Sequence, residues 1–439
     1  MPVVFIHGVA TRAGEQYQRG VAAREELIRR LLVDRMAASD PRWAGMQVVS
    51  PYWGDLAVRH YWAQATLPPV GTLEDMGVGD DGVAAADLEV ADLVKEIGND
   101  ATGLEALGAE TPLRNAWSKN PHRTVEALLA PIVHSDRSVL RPQDLGITEQ
   151  ARPAQALGEI DGRVLAAGSL AASDEAVGAA IRDALSDDAA LTVITDAIVA
   201  RTEQVAPVEA STDSALESLG PGWLDTLRDR VGEVLNRAKS APARVATLAA
   251  LDRYRDGLHG HLTLFMGDVF VYLLRRGEAG SPGPIVERVR EAIADAPRSR
   301  ADEPLIVLTH SMGGNIFYDL VTTYEPSLKV DLWVSAGGQV GQFEEMKLFK
   351  ASTVVDPPAP PMPPKVAALG GRVRTWLNIY DPADILSFLV EPVFTDPDAG
   401  VRIKDLKFKS GVSALKAHGA YYSRPTFYEL LGREFGSRP

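Results

Sequence analysis

One stretch constrains the fold of this chain more than any other: Leu305-Ile306-Val307-Leu308-Thr309-His310-Ser311-Met312-Gly313-Gly314. The aliphatic run before Thr309 reads as a buried strand, and apolar residues recur at helical spacing from Asn315 to Val321. A chain that turns from strand into helix within about three residues crowds its own backbone, and only small neighbours relieve the crowding. Gly313 and Gly314 supply that room. The spacing therefore predicts a serine hydroxyl held at the carboxyl edge of a sheet, beside the amino end of a helix.

The chain has 439 residues, more than one hydrophobic core usually supports, so two lobes or one domain with a large insertion are expected. An apolar fraction of 46% and a mean hydropathy of -0.05 suit a soluble globular protein. The net charge of -14 disfavours nucleic acid or an anionic membrane as a nonspecific partner. Cysteine is absent, which excludes disulfides, thiolate catalysis and cysteine-ligated zinc. The first residues pass straight into a strand with no basic start, so no secretory leader is expected. The longest apolar run, Leu262 to Leu274, is interrupted by Asp268 and is too short for a transmembrane segment. A cytoplasmic protein is the expectation.

Taken in order, Pro2 to Ile6 reads as a strand ending at His7-Gly8-Val9-Ala10, and Glu15 to Met36 as an amphipathic helix. A second strand from Gln47 runs into Tyr52 and Trp53, which read as packing residues at a sheet rim. His7 reads as a structural histidine at a strand end. From about Leu56 to Leu258 alanine, leucine and acidic residues dominate, and prolines punctuate segments of helical length. This predicts a helical insertion over 56–259 between two parts of a sheet domain, 1–55 and 260–439. Inside it, nine carboxylates and one lysine between Asp80 and Glu110 read as a solvated face. Trp223 to Tyr254 mixes arginines with acidic residues and reads as packing within the insertion. His259-Gly260-His261 has no carboxylate at a metal-ligand spacing, so no metal site is assigned. Beyond it come two predicted helices, Leu262 to Arg275 and Pro284 to Ala296. Strands are expected over Lys329 to Ala336, Arg372 to Tyr380 and Val401 to Phe408, with a glycine-rich loop at Gly337 to Gly341 and a proline-rich linker at Pro357 to Pro364.

The segment Thr309-His310-Ser311-Met312-Gly313 resembles the G-x-S-x-G nucleophile elbow of the α/β-hydrolase superfamily, with threonine in place of the first glycine. His7-Gly8 after the first strand resembles that family's oxyanion loop, and the resemblance assigns the two oxyanion-hole donors to the backbone N–H groups of Val9 and Met312. The pattern Asn378-x-x-Asp381-x-x-Asp384 after a strand resembles its acid loop. By that resemblance Asp384 is the orienting carboxylate and Asp381 the fallback, although an aspartate before proline also starts turns. His418-Gly419-Ala420-Tyr421, beyond the last strand, resembles the histidine loop. The order Ser311, Asp384, His418 is that of the family's triad, and Gly337 to Gly341 resembles a loop whose glycines let the chain pass beside the site.

The resemblance covers roughly 1–55 and 260–439. It implies the α/β-hydrolase fold: a mostly parallel sheet of about six strands, helices on both faces and the insertion as a large helical cap. With the first strand starting at Pro2, the antiparallel strands that usually open that fold are not expected in this sequence. It also implies a lipase- or esterase-like serine hydrolase that cleaves carboxylic esters, with a small-molecule or lipid-like ester as substrate and no metal or organic cofactor. Peptidases and thioesterases use the same triad, and a non-catalytic interaction protein on a hydrolase scaffold is the reading from another class. The oligomeric state stays open.

Overall fold

The computed structural model describes residues 2–61, 63, 112–133, 153–204, 262–297, 304–353, 364–367, 369–395, 401–412 and 414–436. The chain divides into two compact units. One comprises Met1–Ala13, Val33–Pro68 and Leu258–Tyr421, the other Gly14–Leu32, Pro69–Gly257 and Tyr422–Pro439. The acidic stretch Asp80 to Glu110, the segment Trp223 to Tyr254, the pair His259 and His261, and all of the proline-rich linker but Pro364 lie outside the described residues.

The first unit is α/β. Its strands are β1 (Val3–Ile6), β2 (Val48–Val49), β3 (Gly277–Glu278), β4 (Ser281–Pro282), β5 (Ile306–His310), β6 (Leu332–Ala336), β7 (Thr375–Tyr380) and β8 (Arg402–Lys407). Six of them form one sheet in the order β2-β1-β5-β6-β7-β8, with every neighbouring pair parallel. Parallel strands covered on both faces carry unbroken apolar runs rather than alternating ones, as β1 and β5 do. Where polar atoms enter this sheet, they pair. Trp333 and Trp376 stack with centroids 4.2 Å apart across β6 and β7. Their indole N–H groups donate to Thr309 Oγ1 and Ser335 Oγ, each at 2.9 Å. Buried indoles keep a polar partner in this way.

The β3–β4 hairpin lies outside the main sheet. With two residues per strand it carries no alternation that a pattern could detect. A helix spans 262–275, as the spacing predicts. The next, Pro284–Ala294, begins with a proline at its first turn, where a missing N–H costs nothing. After Ser311 comes the helix Met312–Asp319, which continues through a π-helical turn at Leu320–Tyr324. The glycine loop after β6 leads into a short helix, Val340–Glu345, that sequence periodicity did not reveal.

In the second unit, the described part of the insertion is helical: Pro112–Lys119, Pro121–Val133, Pro153–Ala172, Glu175–Asp183 and Asp187–Gln204. The helices Glu15–Leu27 and Pro425–Gly436 belong to this unit too, although composition sets both apart from the insertion. The reason is close packing. A Cβ on Gly158 would sit 2.2 Å from the Arg19 carbonyl oxygen, and one on Gly162 2.7 Å from that of Ala23. Glycines four residues apart thus let Pro153–Ala172 lie directly on the backbone of Glu15–Leu27. Arg19 locks the crossing, donating from Nη2 to Asp161 Oδ1 at 2.9 Å and from Nε to Oδ2 at 2.5 Å. Burial pushes the Asp161 carboxyl up to about 6, against the pull of Arg19. Removing the guanidinium leaves that buried carboxylate uncompensated. Arg19→Ala is therefore expected to destabilise this unit by about 3–5 kcal/mol, read as a lower denaturant midpoint, whereas Arg19→Met with Asp161→Leu recovers most of the loss. Among the described residues no single helix is long and apolar enough to cross a membrane.

Candidate active site

β5 ends at His310 and the following helix begins at Met312, so the reversal falls on Ser311 alone. Its φ of 53° and ψ of -129° are unusual for a residue with a side chain. Such a conformation persists only where the surroundings over-determine it. The Ser311 N–H donates to the Ala336 carbonyl of β6 at 3.0 Å. A Cβ on Gly313 would stand 2.3 Å from the Ile6 carbonyl oxygen, so β1 and the helix tolerate no side chain there. Gly314 is under less constraint, since its nearest would-be neighbour is a Val340 methyl at 3.3 Å. The threonine that replaces the first motif glycine is buried, and its hydroxyl accepts the Trp333 N–H, so its bulk is used rather than merely tolerated.

Three side chains from three loops meet at this edge of the sheet. His418 Nε2 lies 2.9 Å from Ser311 Oγ. Its Nδ1 lies 3.1 Å from Asp384 Oδ1 and 3.0 Å from Oδ2. The Asp384 carboxylate also accepts the Leu386 N–H at 2.9 Å and the Tyr421 hydroxyl at 2.8 Å. Burial pushes this carboxyl up. The hydrogen bonds and charge of His418, with the Leu386 and Tyr421 donors, outweigh that effect, and the net shift is downward. An ionised Asp384 facing Nδ1 leaves Nε2 as the acceptor for the serine proton.

Asp381, the alternative acid, is occupied elsewhere. It accepts the Ala383 N–H at 2.9 Å and the Ser410 N–H at 2.7 Å, which makes it a turn and loop anchor. Tyr421 bridges the two aspartates, accepting the Asp381 N–H at 3.0 Å while donating to Asp384. Burial and the Asp384 charge push its hydroxyl well above the ordinary phenol range. The tyrosine of the His-Gly-Ala-Tyr motif was the only signal for this role. His310 is a second residue whose part the sequence did not disclose. Its Nε2 donates to the His418 carbonyl at 2.6 Å, and the two rings lie 4.9 Å apart. Gly337, at φ 59°, completes the floor: a Cβ there would meet Tyr421 at 2.8 Å, Asp384 at 3.1 Å and His418 at 3.3 Å.

The loop after β1 runs against the serine, since a Cβ on Gly8 would be 2.7 Å from the Ser311 Cβ. His7 stacks on Trp53 with centroids 4.7 Å apart, and its Nε2 accepts the Trp53 backbone N–H at 3.1 Å. Nδ1 then carries the proton and donates to the Gly8 carbonyl at 2.7 Å. His7 and Trp53 are thus packing residues that also orient backbone. Because a peptide unit is planar, fixing the Gly8 carbonyl also fixes the Val9 N–H, which points the opposite way. Met312 opens its helix, where an N–H has no intrahelical acceptor. Among the described residues, neither the Val9 nor the Met312 N–H has a hydrogen-bond partner. Chemically, the arrangement can pass a proton from a hydroxyl to an imidazole. No family model, curated protein or solved structure matches the chain.

Proposed function

We propose that this chain is a serine hydrolase of the α/β-hydrolase type that cleaves carboxylic esters, lipase- or esterase-like in its chemistry. One observation carries the reading: Ser311, His418 and Asp384 form an unbroken hydrogen-bonded run at the carboxyl edge of a parallel sheet. A serine hydroxyl is a weak nucleophile near neutral pH and requires a base. As Ser311 Oγ bonds to the ester carbonyl carbon, its proton passes to His418 Nε2 and the carbonyl oxygen takes the negative charge. The Val9 and Met312 N–H groups are the donors assigned to that oxygen, each worth roughly 10²–10³ in rate. When the tetrahedral adduct collapses, the bond to the alcohol oxygen breaks and His418 returns the proton to that oxygen. Water then attacks the acyl-serine with His418 again as base, which releases the acid and restores Ser311. Asp384 holds the imidazole tautomer and stabilises its charged form.

The same triad serves other acyl transfers, so the test compares acyl groups directly. With each rate divided by that substrate's uncatalysed hydrolysis rate, wild-type protein is expected to favour p-nitrophenyl butyrate over butyryl thiocholine or a peptide p-nitroanilide by at least about tenfold in kcat/KM, a margin of about 1.4 kcal/mol in transition-state binding. Faster cleavage of the thioester or the anilide on that scale would reassign the substrate class.

A further inference from the structure

We infer that Asp268 is a positioning residue that sets the oxyanion loop, an inference that rests on the serine hydrolase reading above. Asp268 lies on the 262–275 helix, more than two hundred residues from the loop in sequence, and it is wholly buried. Gly267 brings that helix close, since a Cβ there would fall 2.8 Å from the Val58 side chain. Both carboxylate oxygens are then fully used. Oδ2 accepts the Ala10 N–H at 2.8 Å and Arg12 Nη1 at 3.0 Å, while Oδ1 accepts the Val58 N–H at 2.9 Å and Arg12 Nη2 at 2.7 Å. Four donors fill the capacity of one carboxylate.

The loop's conformation shows what this contact holds. Ala10 stands at φ 56°, a left-handed turn that a residue with a side chain adopts only under constraint. The anchor therefore falls on the residue immediately after Val9. On the other side, the Gly8 carbonyl is held by His7 Nδ1 at 2.7 Å and by the Thr11 hydroxyl at 3.1 Å. The Val9 N–H is thus fixed between two anchors, one local and one supplied by the distant helix. The same helix also reaches the end of the nucleophile helix, where the Tyr272 hydroxyl donates to Asp319 at 2.8 Å. One helix thus bonds both the oxyanion loop and the far end of the helix that Met312 opens. A misplacement of about 1 Å in such a donor can cost on the order of a hundredfold in rate.

Asp268→Asn keeps the side-chain volume but turns an NH₂ group toward either the Ala10 or the Val58 N–H. In full-length protein we expect kcat for p-nitrophenyl butyrate to fall about 10–100-fold with KM changed less than about threefold, as for loss of a contact made only in the transition state. The Ki of trifluoroacetophenone, whose serine adduct places an oxyanion in the same hole, rises by the same factor as kcat/KM falls. A purely structural carboxylate would lower the melting temperature and leave the active fraction with unchanged kcat and Ki. Arg12, whose side chain is 31% exposed, gives a milder second variant. Arg12→Gln loosens the carboxylate from outside and is expected to lower kcat about three- to tenfold, with the same parallel in Ki. Folded Asp268→Asn, or folded Arg12→Gln where the first does not fold, with wild-type kcat and Ki overturns the inference and leaves the hydrolase reading intact. Wild-type protein without Ser311-dependent hydrolysis overturns both.

Discussion

His418→Gln is expected to lower kcat for ester hydrolysis by about 10⁵–10⁶-fold while the protein stays folded, the scale on which a triad fails when its base is removed. The expectation rests on one side chain touching both partners, with Nε2 2.9 Å from Ser311 Oγ and Nδ1 3.0 Å from Asp384 Oδ2. The imidazole side chain is 22% exposed, so its loss opens no large cavity. The pH profile provides an independent check. A base must be neutral to accept a proton, so wild-type kcat/KM declines as the solution is acidified, while the residual rate of His418→Gln loses that decline. Similar acid-side curves for the two proteins would count against the assignment.

The second large effect separates the two aspartates. Asp384→Asn is expected to lower kcat by about 10⁴-fold, because an amide facing Nδ1 favours the wrong tautomer and gives no charge to stabilise the imidazolium. Asp381→Asn weakens an anchor of the Ala383 and Ser410 N–H groups instead. It is expected to cost about 1–3 kcal/mol of stability and to change kcat less than about tenfold. Equilibrium unfolding beside steady-state kinetics resolves the pair, and the reverse pattern would transfer the acid role to Asp381. The Asp384 carboxyl also sets a pH window. Its value in the folded chain is depressed, so it adds stability that is fully present above its ordinary value of 3.8 and is lost as pH falls through the lower folded value. Below that window wild type and Asp384→Asn are expected to converge in stability.

Much of this site can be read in the sequence because Ser311 and Asp384 follow strand ends, whereas His418 follows the short helix Ala414–Ala417. An aliphatic run leads to Ser311 and a largely buried strand leads to Asp381-Pro382-Ala383-Asp384, which places both on one edge of a parallel sheet, and the structure brings His418 to them there. Residues that act across the fold leave no such mark. Asp268 reads in sequence as an interruption in an apolar run, and only the packing of the 262–275 helix against Val58 shows which donors it meets. His310 lies beside the serine in the chain, yet its bond to the His418 carbonyl spans more than one hundred residues. The grouping of Glu15–Leu27 with the insertion depends on the close approach at Gly158 and Gly162, which composition cannot encode. Periodicity finds elements; it does not find their partners.

Activation of Ser311 as a nucleophile by His418 underlies every step of the proposed reaction, and a fluorophosphonate reports on it without a substrate. Full-length wild-type protein is expected to form one covalent adduct, located on Ser311 by peptide mass spectrometry, with labelling blocked by prior reaction with phenylmethylsulfonyl fluoride and absent in folded Ser311→Ala. Folded wild-type protein that remains unlabelled, or that labels equally well without the Ser311 hydroxyl, would contradict the account and favour a hydrolase-like scaffold without this chemistry.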